Sequence, residues 1–135
     1  MKIDGGCHCG HVKYEADVRD DFVVICHCTD CQKLSAAAYR IVVQSQETDF
    51  KLLNHSPKDY IKISESGAKR VQAFCPECGS HIYATSTDNV GARVFNIRLG
   101  SVNQKDQFKP TGQIWCRSAQ PWVFNLEDIP RVEMQ

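Results

Sequence analysis

The chain has 135 residues, 42% of them hydrophobic and 24% charged, which suits one globular domain with its own core and is too apolar for general disorder. Sixteen basic residues balance sixteen acidic ones without a Lys/Arg block, which argues against nucleic acid or an anionic membrane as partner. Met1 to Gly6 resembles no signal peptide and no apolar run could span a bilayer, so a cytoplasmic location is expected. Eight cysteines in tight pairs and a triplet then read as metal ligands rather than disulfides.

Gly5-Gly6-Cys7-His8-Cys9-Gly10 opens the chain as half a metal site, its glycines letting the backbone fold closely around an ion. Val12, Tyr14, Ala16 and Val18 alternate with polar residues, the period of a strand with one buried face, and Arg19-Asp20-Asp21 predicts a turn. Phe22 to Ile25 is a more buried strand that delivers Cys26 to the segment Cys26-His27-Cys28-Thr29-Asp30-Cys31. A Cys-x-Cys-x-x-Cys turn can bring three sulfurs to one tetrahedral zinc, and no fourth strong ligand follows nearby. Two readings stay open: a position free for water or substrate, or a structural site closed by a distant residue.

Gln32 to Ala38 could form a short helical turn. Tyr39–Val43, Phe50–Leu53, Tyr60–Ser64, Arg70–Phe74, His81–Thr85 and Arg93–Leu99 are strand candidates bounded by turn residues. None is long enough for a typical helix, so the expected fold is all-β: residues 1–135 as a single zinc-stapled domain of short antiparallel strands in folded sheets. Lys105 to Gly112 reads as a loop and Asn125 to Ile129 as one terminal helical turn. Trp115 and Trp122 are expected in core or rim packing.

Cys75-Pro76-Glu77-Cys78-Gly79 is a zinc half-site whose natural complement is Cys7 and Cys9. Together they make a closed four-cysteine site clamping segments 65 residues apart, and they leave the triplet Cys26, Cys28 and Cys31 intact. A redox role for Cys75 and Cys78 lacks the surrounding βαβ pattern. Cys116, placed on a strand face with Ile114 and opposite Trp115, is either a small buried hydrophobe or a fourth ligand or thiol beside the triplet. His27 and His8 each sit between two ligands, so alternation should point them away from the ion, and His81 should pack at the base of a hairpin. His11 and His55 carry no signal.

Taken together, Gly6-Cys7-x-Cys9-Gly10-x-Val12-x-Tyr14, Cys26-His27-Cys28-x-x-Cys31-x-Lys33, Phe74-Cys75-Pro76-x-Cys78-Gly79-Ser80 and the later Pro121-Trp122 resemble the glutathione-dependent formaldehyde-activating enzyme family, which includes the centromere protein V group. The resemblance implies a β-sheet fold with two zincs, a structural one on Cys7, Cys9, Cys75 and Cys78 and a catalytic one on Cys26, Cys28 and Cys31. Partial occupancy is expected of the second, which is one ligand short. It also implies a carbon-sulfur lyase that joins a small thiol, glutathione or similar, to a small aldehyde such as formaldehyde. Members often carry His in the segment before the Pro-Trp pair, where Gln113 is the nearest polar residue in this chain, and Cys116 is an uncommon addition.

The residues leave the proton donor open among Asp30, Tyr39, His27 and water, and offer Lys33, Arg40, Arg93, Arg98 and Arg117 as partners for substrate carboxylates. Two other classes compete: a non-catalytic zinc-stapled β module that binds a protein through its tryptophan-bearing end, and a thiol oxidoreductase in which Cys116 resolves an oxidised Cys28 or Cys31.

Overall fold

Tyr14, Ala16 and Val18 are buried on one face of their strand, as their alternation requires, in a computed structural model that describes residues 1–135. Eight strands build the fold: β1 (Lys2–Gly6), β2 (Lys13–Cys26), β3 (Arg40–Leu52), β4 (Lys58–Ile63), β5 (Lys69–Phe74), β6 (His81–Ser86), β7 (Val94–Arg98) and β8 (Gly112–Ile114). They form one sheet in the order β1-β2-β3-β7-β6-β5-β4, antiparallel throughout except that β8 runs parallel to the end of β2. The one α-helix, α1 (Thr29–Ser35), and a few 3-10 turns are short.

Three boundaries differ from the sequence expectation. Arg19-Asp20-Asp21 does not turn the chain; β2 runs straight through it, with register shifts between Ala16 and Val18 and between Arg19 and Val23. Bulges of this kind absorb unpaired residues and bend a strand, so polar residues that read as a turn remain in the ladder. Likewise the two strands expected from Tyr39 and Phe50 are one, β3, because its polar middle is paired to β2 on one side and β7 on the other. Lys2–Gly6, unremarked as a strand, pairs with Lys13–Asp17. Gly5 is required there: a Cβ would lie 2.3 Å from the Ser101 carbonyl and 2.5 Å from the Tyr14 hydroxyl.

Directly paired residues share a sheet face, and here the two faces differ in kind. Val23, Val43, Ile97, Tyr83 and Ala73 follow one another across five strands on the core side, where Tyr83 and Phe95 stack their rings and Phe50 packs edge-on and tilted against them. Cys26 and Arg40, Val42 and Arg98, and Gln72 and Ala84 are pairs on the opposite, polar side.

The segment after β8 departs from a strand. Trp115 takes a left-handed backbone (φ 57°) and Cys116–Ser118 form a 3-10 turn, so Cys116 shares no strand face with Ile114 and is exposed, not buried. Trp115 is 44% and Trp122 49% exposed, which leaves both outside the core. Pro121–Asp128 forms 3-10 turns interrupted at Asn125, in place of the helical turn expected from Asn125 onward.

Candidate metal centres

Two knuckles build the first centre. After β1 the chain doubles back through Cys7–Gly10, where the Cys7 amide donates to the Val12 carbonyl at 3.0 Å and the Val12 amide to Cys7 Sγ at 3.2 Å. After β5 the Gly79 amide donates to the Cys75 carbonyl at 2.9 Å, with Gly79 at φ 78°, where a side chain would be strained. The His8 amide donates to Ser80 Oγ at 3.0 Å and joins the two knuckles. The result gathers Cys7, Cys9, Cys75 and Cys78, all four sulfurs within 4.8 Å of one another, with Cys7–Cys9 at 3.6 Å and Cys9–Cys75 at 3.8 Å. Four sulfurs bonded tetrahedrally at about 2.3 Å stand about 3.8 Å apart, so the spacing fits one metal ion.

Protonation points the same way. The Ser80 hydroxyl and backbone draw the Cys78 thiol down to about 5. The His11 amide favours a Cys9 thiolate, yet desolvation and three neighbouring sulfurs outweigh it and push that thiol up to about 12. Thiols this close cannot all ionise unless a cation offsets their charge.

The second centre lies where β2 becomes α1. Cys26 is the last strand residue, Cys28 is the helix N-cap and accepts the Cys31 amide on Sγ at 3.2 Å, and Cys31 sits in the first turn. The helix begins at Thr29 rather than Gln32 because Cys28 caps it. The three sulfurs lie within 4.8 Å of one another, and Cys116 is not among them. A Cys31-to-Cys26 hydrogen bond holds the Cys26 thiol below its ordinary range and raises that of Cys31. This donor set also fits a metal ion, with three protein sulfurs instead of four.

His27 points away from the triplet, as alternation predicted. It is 1% exposed, packed against Tyr39 and Phe124, and its Nε2 donates to Gln113 Oε1 at 2.7 Å while Nδ1 is left unpaired. Gln32 secures the same corner by donating to the carbonyls of His27 (2.8 Å) and Ser118 (2.9 Å). His81 begins β6 beside the hairpin base, its pKa lowered by burial and by Arg40 and Arg98.

A cavity of about 900 Å³ opens on the polar face, lined by Cys26, Cys28 and Cys31 and walled by Ile114 and Trp115. Arg40, Arg98 and Gln72 also line it. Of the other sequence candidates, Asp30 is ion-paired to Lys62 at 2.8 Å, Arg93 is taken by Glu47, Arg117 lies over the Trp115 ring, and Lys33 is exposed outside the cavity. Gln72 escaped sequence reasoning; its signal was a polar side chain at the centre of an otherwise apolar strand end, Val71-Gln72-Ala73.

Two comparisons bear on this arrangement. The family described as GFA, glutathione-dependent formaldehyde-activating enzyme, matches residues 2–118, which include all eight cysteines. Among solved structures, the crystal structure of a Rhodobacter sphaeroides protein from structural genomics has a similar fold, with a TM-score of 0.60 and 19% identity over 84% of this chain and 99% of that one.

Proposed function

The chain belongs to the glutathione-dependent formaldehyde-activating enzyme family, and on that premise we propose that it is a zinc-dependent carbon-sulfur lyase-like enzyme that adds a small thiol, glutathione or a relative, to a small aldehyde such as formaldehyde. Cys7, Cys9, Cys75 and Cys78 then hold a structural zinc, and Cys26, Cys28 and Cys31 a catalytic one. The observation that carries this reading is the contrast between the two centres: four sulfurs close the first, whereas three sulfurs at the second open on a cavity. Bound there, zinc supplies a Lewis acid that favours the thiolate of an incoming thiol near neutral pH.

In the reaction the substrate sulfur bonds to the carbonyl carbon, the C=O π pair becomes an alkoxide, and the proton shed by the thiol is returned to that oxygen. Breaking the same C–S bond is the reverse. The chain's contribution is placement. The turn from Cys26 to Cys31 fixes three sulfurs in the cavity lining, and β8, tied through Gln113 to His27 and paired in register with the end of β2, sets Ile114 and Trp115 beside them. His27 is buried behind this wall, outside the cavity lining, so it is not offered as the proton donor. Cys116 is exposed and is not among the sulfurs gathered with the triplet, which favours the thiol-binding reading over a thiol oxidoreductase that uses it.

The test is the absorption spectrum of cobalt-substituted protein titrated with glutathione and other small thiols. A thiol entering the triplet site adds thiolate-to-metal charge transfer. A spectrum that no thiol changes would mean a centre closed to substrate and would overturn this reading.

A further inference from the structure

Arg40 and Arg98 are 6% and 8% exposed, and neither forms an ion pair. Both guanidiniums donate to the same neutral acceptor, Gln72 Oε1, Arg40 through Nη1 at 3.2 Å and Arg98 through Nη2 at 2.7 Å. Arg40 Nη2 also reaches the Cys31 carbonyl at 3.5 Å, while Nε of each arginine is buried without a partner. Arg98 feels Arg40 and Arg70 as further cations, with only the cysteines opposing them. Two buried cations sharing one amide oxygen are costly unless an anion joins them, because taking a charge out of water is repaid only by pairing.

Sequence position explains the crowding. Cys26 pairs with Arg40 across β2 and β3, and Val42 with Arg98 across β3 and β7, so both arginines stand on the polar face beside the triplet. The acids lining the same cavity are Asp30, already held by Lys62, and Glu65, which is exposed. A divalent ion on three thiolates carries a net charge of minus one and offsets one arginine. The arginine pair keeps an excess of positive charge, and Arg70 and Arg117 line the same cavity.

We propose that Arg40 and Arg98, bridged by Gln72, form an anion-binding site in the cavity wall next to Cys26, Cys28 and Cys31, and that it takes a carboxylate of the thiol substrate. Two planar guanidinium forks match the two oxygens of a carboxylate. This deepens the thiol-lyase reading and rests on it for the position of the sulfur: the substrate is a thiol acid, held at one end by the metal centre and at the other by the arginines.

The experiment compares thiols that differ only in charge. Cobalt-loaded wild-type protein should bind 3-mercaptopropionate about tenfold or more tighter than 3-mercapto-1-propanol, read from the charge-transfer band. Equal affinities would overturn the proposal. Gln72→Glu supplies an internal carboxylate between the two guanidiniums, so the preference should fall to within about twofold while the alcohol binds as before; a preference that persists in Q72E also overturns it.

If no thiol perturbs the cobalt, the lyase reading falls by itself. The anion site then stands or falls on calorimetric titration with S-methylglutathione, which keeps its carboxylates but has no free thiol. Heat of binding in wild type that is lost in Q72E supports the site, and no heat in wild type overturns it. Inorganic phosphate binding as tightly as S-methylglutathione would overturn the choice of a carboxylate.

Discussion

His27 Nε2 and Gln113 Oε1 lie 2.7 Å apart, and this bond ties the residue between two cysteines of the triplet to the strand that walls the cavity. The His27 amide reinforces it by donating to the Ile114 carbonyl at 3.1 Å. With Nδ1 already unpaired, Gln113→Ala leaves a buried ring with no polar partner, at a cost of about 1–3 kcal/mol. The variant should melt several degrees below wild type, and its cobalt-bound triplet should show an altered spectrum as β8 loosens. An unchanged melting temperature would show that the bond does not hold the wall.

The four-cysteine centre joins segments separated by 65 residues, so its metal-binding free energy is partly folding free energy. Cys75→Ser should unfold the chain or make it insoluble, and chelators that strip this centre from wild-type protein should do the same. Wild-type zinc content and melting temperature in Cys75→Ser would contradict a structural role.

Cys28→Ser acts on the other centre and should leave the clamp untouched. The variant is expected to fold, to retain one chelator-resistant metal, and to lose the second together with any acceleration of thiol–aldehyde adduct formation or breakdown. Elemental analysis and melting curves check the first part, and adduct kinetics the second. Loss of both metals in Cys28→Ser would mean that the two centres are not independent.

Glu47 makes a two-point pair with Arg93, Nη2 to Oε1 at 2.5 Å and Nε to Oε2 at 2.9 Å, and also accepts the Gly91 and Arg93 amides. Chiefly through Arg93, its pKa falls from an ordinary 4.5 to about 2. A carboxylate depressed on folding stabilises the native state fully above its unfolded pKa and loses that contribution as pH drops through the folded one. The Glu47 contribution should therefore be complete above pH 4.5 and fade toward pH 2. Acid also releases metal from thiolates, so the measurement is the difference between wild type and Glu47→Gln: the gap in melting temperature should narrow steadily across that window. A gap that stays constant would refute the assignment.

The sequence by itself determined the three cysteine turns, because ligand spacing is a local property: Cys-x-Cys, Cys-Pro-x-Cys-Gly and Cys-x-Cys-x-x-Cys each shape their own turn whatever lies around them, whereas the meeting of the first two across 65 residues, expected from the count of four plus three, belongs to the tertiary structure. The all-β class and the outward turn of His27 followed from alternation, which is equally local. Strand continuity did not, since bulges at Arg19–Val23 and ladder partners on both sides of β3 override the polar residues that read as breaks. Nor did the fate of Cys116, which turns on one left-handed residue, Trp115. The pairing of Arg40 with Arg98 over Gln72 was out of reach for the same reason. Those residues lie 26 to 58 positions apart, and only the register of β3, β7, β6 and β5 decides that their side chains share a face with the triplet. Such register is a sum of long-range pairings that no local window contains.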